Sequence, residues 1–142
     1  MVTRREFLKD AALAVGGAVG TTLTGCLSST APVVRAQVQS NRISIETTRP
    51  ELANTGDGIL LTADELDYPI LFIRVAPDRF VALSTECMHL GCTVKKQPSV
   101  IRCPCHGSVY DLEGRVLNGP AEQPLKQYEV RIHGTMAEIQ CS

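Results

Sequence analysis

The chain has 142 residues, 44% hydrophobic and 20% charged, with a formal net charge of -1. That length has room for one domain with a tail or targeting segment, and the charge balance gives neither a basic excess for nucleic acid nor a like-charged run of the kind that marks a disordered tail. Six aromatic residues and no Trp leave the core to Val, Ile and Leu.

The first 27 residues read as an export segment rather than as part of that core. Arg4-Arg5 lead into Glu6, Phe7, Leu8 and Lys9, an uncharged stretch runs from Ala11 to Leu27, and small residues close it. Basic residues, an apolar segment and then small residues are the layout of an export signal. In this setting Arg4-Arg5 resemble the twin-arginine signal of bacteria, a pathway for proteins already folded. Leu23-Thr24-Gly25-Cys26 resembles a lipoprotein lipobox, which implies a lipid on Cys26. The alternative is an uncleaved membrane anchor, although Gly16, Gly17, Gly20 and Gly25 dilute a span that needs about 20 apolar residues. A free soluble product is the third reading, and all three predict a domain on the extracytoplasmic side of the bacterial membrane. Residues 28–40, small and polar with Pro32, read as a linker, leaving 41–142 as the domain.

From Asn41 onward the pattern is one of short strands. Arg42 to Glu46 alternates polar and apolar, Tyr68–Val75 and Phe80–Leu83 are compact β-type runs parted by Pro77-Asp78, and Tyr128, Val130 and Ile132 alternate with Glu129, Arg131 and His133 before a turn at Gly134. Ala63 to Leu66 could form one helical turn. Punctuation by Gly, Pro and Asp every 8–12 residues or so predicts an antiparallel all-β domain. His133, beside the turn glycine, is expected at the surface and without a role.

The segment from Glu86 to Ser108, ECMHLGCTVKKQPSVIRCPCHGS, holds four of the six cysteines and two of the three histidines. Cys87-x-His89 and Cys103-x-x-His106 each supply one thiol and one imidazole, with Cys92 and Cys105 left over. Such a set suits zinc or an iron–sulfur centre, though zinc sites more often pair Cys-x2–4-Cys with His-x3–5-His.

CMHLGC and CPCHGS resemble the two cluster-binding boxes of Rieske iron–sulfur proteins in their high-potential, quinol-oxidising branch. The likeness is strong over 86–111 and looser to about 125, through Gly119-Pro120-Ala121, which resembles the third, proline-containing loop of that family. Met88 departs from the usual Thr, and the segment between the boxes is shorter by a few residues. The resemblance implies a small antiparallel β domain with a cluster-binding subdomain formed by two loops at one tip. It further implies a 2Fe-2S cluster with Cys87 and Cys103 on one iron and His89 and His106 on the other, and a Cys92–Cys105 disulfide tying the loops. Ser108 and Tyr110 would donate hydrogen bonds to a cluster sulfur and a cysteine sulfur. The function implied is electron transfer in a quinol:cytochrome c oxidoreductase of the bc type, with electron and proton taken from quinol at His89 and His106. The partners would be a cytochrome b and a c-type cytochrome. The alternative is a stand-alone lipid-anchored carrier, or the small subunit of another oxidoreductase such as a molybdenum enzyme. A Rieske oxygenase is not expected, since these 142 residues show no second domain and no His-His-carboxylate set. Cys141 remains as an odd cysteine, a free thiol or an intermolecular partner.

Overall fold

The computed structural model describes residues 30–142. The expected export segment 1–27, with Cys26, lies outside the described residues. The strands are β1 (Val33–Arg35), β2 (Arg42–Glu46), β3 (Gly58–Thr62), β4 (Ile70–Ala76), β5 (Arg79–Ser84), β6 (Lys95–Lys96), β7 (Ile101–Arg102), β8 (Val109–Tyr110), β9 (Val116–Asn118), β10 (Gln127–Tyr128), β11 (Val130–His133) and β12 (Met136–Gln140), with one 3-10 turn at Pro50–Leu52. They form three sheets, in the orders β1-β3-β4-β5-β10, β11-β12-β2 and β6-β7-β8-β9. The all-β expectation holds. Pairing is antiparallel throughout these sheets except between β1 and β3.

The run Ile70-Leu71-Phe72-Ile73 explains how the sheets stack. Side chains alternate along a strand, and here both faces are covered, so no polar residue interrupts the run. Ile70 and Phe72 join Ile43, Ile45, Ile59, Leu61, Ala137 and Ile139 in a core between the first two sheets. Leu71 and Ile73, with Val81 and Leu83, face the other way and pack against Val94, Ile101, Tyr110 and Leu125. The third sheet therefore stands on the back of β4 and β5, and Cys87 and Cys103 belong to this second core.

Two stretches differ from expectation. Ala63 to Leu66 is a single turn closed by Leu66 N–H on the Ala63 carbonyl at 3.3 Å, within the connection 63–69 that reverses the chain between β3 and β4, and it does not continue into a helix. Within 28–40, expected as linker, β1 pairs with β3, Ala31 is 6% exposed, and Val34, Ala36 and Val38 pack on the first core. The alternation of Val34, Ala36 and Val38 is masked by small and polar neighbours. Thr30 is held as well: its backbone N–H and its hydroxyl both reach the Lys96 carbonyl, at 2.9 and 3.3 Å. Between β6 and β7 the shortened segment forms a tight hairpin closed by Gln97 N–H on the Val100 carbonyl.

Candidate metal centre

The two boxes are built alike. In the first, between β5 and β6, Cys87 N–H donates to the Cys92 carbonyl at 2.8 Å and Gly91 N–H to the Cys87 carbonyl at 2.9 Å. In the second, between β7 and β8, Cys103 N–H donates to the Ser108 carbonyl at 2.8 Å and Gly107 N–H to the Cys103 carbonyl at 3.1 Å. Each loop thus closes on its own leading cysteine, and each turn passes through a glycine with positive φ, +76° at Gly91 and +82° at Gly107, where a side chain is strained. The Gly four residues after each Cys is the sequence signal for this shared turn.

The closures bring the expected donors together. Cys87 and Cys103 are 2% and 1% exposed, both free thiols. The rings of His89 and His106 stand 4.8 Å apart between centroids and nearly perpendicular, at 85°. Cys92 and Cys105 are joined in a disulfide that links the loops. Nδ1 of His89 is buried and has no hydrogen-bond partner among the described residues, which is costly for an imidazole unless its lone pair meets something else. Two buried thiols, two adjacent imidazoles and one such orphaned nitrogen fit a mixed Cys/His metal centre.

Tyr110 is fully buried. Its hydroxyl accepts from Met88 N–H at 3.3 Å and lies 3.4 Å from Cys87 Sγ, which leaves its proton for the sulfur. Burial, together with the Cys87 sulfur beside it, pushes the phenol pKa far up, so the hydroxyl stays a donor. Burial alone would raise the Cys87 thiol. Tyr110, His89 N–H, Cys103 and Ser108 more than offset it, and the net direction is down. Cys103 moves up through burial and through Cys87. Ser108, also fully buried, accepts Ala121 N–H at 3.0 Å. That bond anchors Gly119-Pro120-Ala121 against the second box.

The sequence reading missed a brace from outside the boxes. The Pro69 carbonyl accepts Thr85 N–H at 3.1 Å and the Thr85 hydroxyl at 2.9 Å, just before Cys87. The Tyr68 hydroxyl donates to the Gly91 carbonyl at 3.0 Å. Adjacent residues ahead of β4 thus hold both ends of the first box. Tyr68→Phe is expected to speed amide exchange across residues 86–94 about fivefold, the equivalent of one hydrogen bond near 1 kcal/mol. Hydrogen-exchange mass spectrometry on that peptide, with an unchanged peptide from β3 as control, is the check.

The turn between β8 and β9 is tied by Asp111, whose carboxylate accepts Glu113 N–H and Arg115 N–H, each at 2.9 Å, and Arg115 Nε at 2.7 Å. Burial would raise its pKa, but the bonds from Arg115 and the two amides outweigh it and the pKa is lowered. A carboxylate lowered on folding stabilises the fold above its unfolded pKa and loses that contribution as pH falls through the folded value. Asp111→Asn should therefore cost about 1 kcal/mol at pH 7, with the melting-temperature gap from the parent narrowing below about pH 4.

A small β domain that converges two thiols and two imidazoles on paired loops defines a metal-centre protein. The chain belongs to the Rieske [2Fe-2S] domain family, whose model matches residues 49–129, and the cofactor of such a domain is a 2Fe-2S cluster rather than zinc. It is 47% identical over 53 residues to the cytochrome b6-f complex iron-sulfur subunit of Chlorobaculum tepidum, covering 36% of this chain and 29% of that subunit. It is 43% identical over 61 residues to the menaquinol:cytochrome c reductase iron-sulfur subunit of Bacillus subtilis, covering 39% of this chain and 36% of that subunit. A longer match, 29% identical, spans 92% of the chain and 83% of a cytochrome b6-f complex iron-sulfur subunit from Synechococcus sp.. Among solved structures, a chain of a hyperthermophilic respiratory Complex III superposes with a TM-score of 0.54 at 25% identity, over 66% of this chain and 71% of that one.

Proposed function

We propose that the chain is the iron–sulfur subunit of a quinol-oxidising complex of the bc type. In this reading Cys87 and Cys103 hold one iron and His89 and His106 the other. The observation that carries it is the pairing of the Cys92–Cys105 bridge across the loops with the Tyr110 hydroxyl on Cys87. The names of the Chlorobaculum, Synechococcus and Bacillus relatives support it. A bound cluster of this kind supplies one-electron chemistry at roughly -150 to +300 mV.

The protein's own part is to present that centre to a donor. His106 is exposed and His89 half-buried, side by side at the tip, so a quinol hydroxyl can bond to an imidazole there and leave its proton on it. Exposed Met88 and Leu90 beside His89 give the apolar body of a quinol, or the pocket that holds it, a surface to lie against. A cytochrome b and a c-type cytochrome are the partners in this reading. The N-terminus serves membrane attachment through Cys26, after twin-arginine export of the folded domain. No helix of the described residues is long and apolar enough to cross a membrane. The disulfide fits an oxidising compartment.

Electron paramagnetic resonance of the full chain is the test. A rhombic signal of the reduced cluster is expected with ascorbate. A signal only with dithionite would keep the cluster but remove quinol as donor, and zinc by metal analysis with no signal would overturn the reading.

A further inference from the structure

Cys103 has a second sulfur neighbourhood besides Cys87. Its Sγ and the two sulfurs of the Cys92–Cys105 bridge all lie within 4.8 Å of one another. That trio is not a second metal site, because two of its sulfurs are bonded to each other and a bridged sulfur carries no thiolate charge. It is a nucleophile beside a disulfide.

We propose that Cys103, in the chain before its cluster is inserted, exchanges with this bridge, and that ligation of Cys103 is what prevents it. As the thiolate, Cys103 attacks Cys92 Sγ; a Cys92–Cys103 bond forms, the Cys92–Cys105 bond breaks, and the electron pair leaves on Cys105. One thiolate and one disulfide stand on each side, so no outside oxidant is consumed. The direction follows from exposure and geometry. Cys105 is exposed whereas Cys92 is half-buried, so water solvates the departing thiolate better at Cys105. Attack on Cys105 instead would close a cramped ring through Pro104.

The product still bridges the two loops but has used a cysteine assigned to iron. The bridge and the cluster therefore compete for Cys103, and placing the cluster before the bridge closes avoids the competition. The twin-arginine export proposed for the N-terminus, a pathway that carries a folded domain, is compatible with that order. This inference rests on Cys103 being a ligand; the exchange itself needs no metal.

The test is a time course on the full chain, cluster-free and cluster-loaded, anaerobic, without reductant, at mildly alkaline pH. Thiols are alkylated at intervals and peptides mapped by mass spectrometry, with iron and sulfide measured separately. In the cluster-free chain Cys105 alkylation should rise about tenfold above that of the loaded chain, with a Cys92–Cys103 peptide appearing. Cys103→Ser should abolish the rise, while Cys87→Ser, which also lacks an assigned ligand, should keep it. A cluster-free chain that holds Cys92–Cys105 unchanged overturns the exchange and leaves the ligand assignment standing. A loaded chain that exchanges as fast as the cluster-free one overturns the assignment of Cys103 to iron.

Discussion

Tyr110→Phe and Ser108→Ala each lower the reduction potential of the loaded domain, and the double variant lowers it further. The Tyr110 hydroxyl is 3.4 Å from Cys87 Sγ and has its acceptor side occupied by Met88 N–H. Ser108, with Ala121 N–H on its oxygen, is also among the groups that favour charge on Cys87. Both hydroxyls are therefore aimed as donors on the buried, cysteine side of the site. Donors stabilise the state with more negative charge, which is the reduced one. A hydrogen bond to a charged group is worth about 1.5–3 kcal/mol, or about 60–130 mV for one electron. Both redox states carry charge, so only the part gained on reduction counts, and several tens of mV per hydroxyl is expected. Redox titration followed by circular dichroism or paramagnetic resonance measures it. Two unshifted midpoints would show that neither hydroxyl acts on the centre. Because the phenol fits tightly in the second core, Tyr110→Phe preserves packing and isolates the hydroxyl, which Tyr110→Ala would not.

Replacing both Cys92 and Cys105 by Ser has the larger effect on stability. The bridge spans 13 residues, and in the chain-entropy picture a loop of that size contributes about 3 kcal/mol. For a domain near 100 residues that is a fall in melting temperature of about 10–20 °C. The loss should be uneven. The first box is still braced by Tyr68 and Pro69, whereas the second has Ser108 on Ala121 and its own closure. Hydrogen exchange should therefore rise more over 103–108 than over 86–92. Equal protection in parent and variant would mean that the two loops hold their places without the bridge.

Most of the site was legible because the chemistry sits in side chains at fixed local spacing. Cys87, His89, Cys103 and His106 are close in sequence to the turns that aim them, and the glycines that permit those turns, Gly91 and Gly107, are part of the same short boxes. Tyr68 was not legible. It is 23 residues from Gly91, and nothing local distinguishes a tyrosine that closes a long-range bond from one that begins a strand. The same holds for β1: the pairing of Val33–Arg35 with β3 is a contact between segments about 27 residues apart, and its small, polar composition reads as tether. The long apolar run of β4 was read as a strand, but only the structure shows that it divides two cores, with Phe72 facing one and Leu71 the other.

The bonds from Thr30 to Lys96 set a length. If the attachment point is Cys26, as proposed, it is four residue steps from a backbone already fastened to the domain at Thr30, a reach of about 14 Å at full extension. Such a mooring has little slack. It would confine the domain to a thin layer above the bilayer and raise its effective concentration toward partners embedded there, while disfavouring any partner whose docking face stands far from the surface. Encounter in that layer becomes a search in two dimensions, and each residue inserted before Thr30 would add about 3.5 Å to its depth.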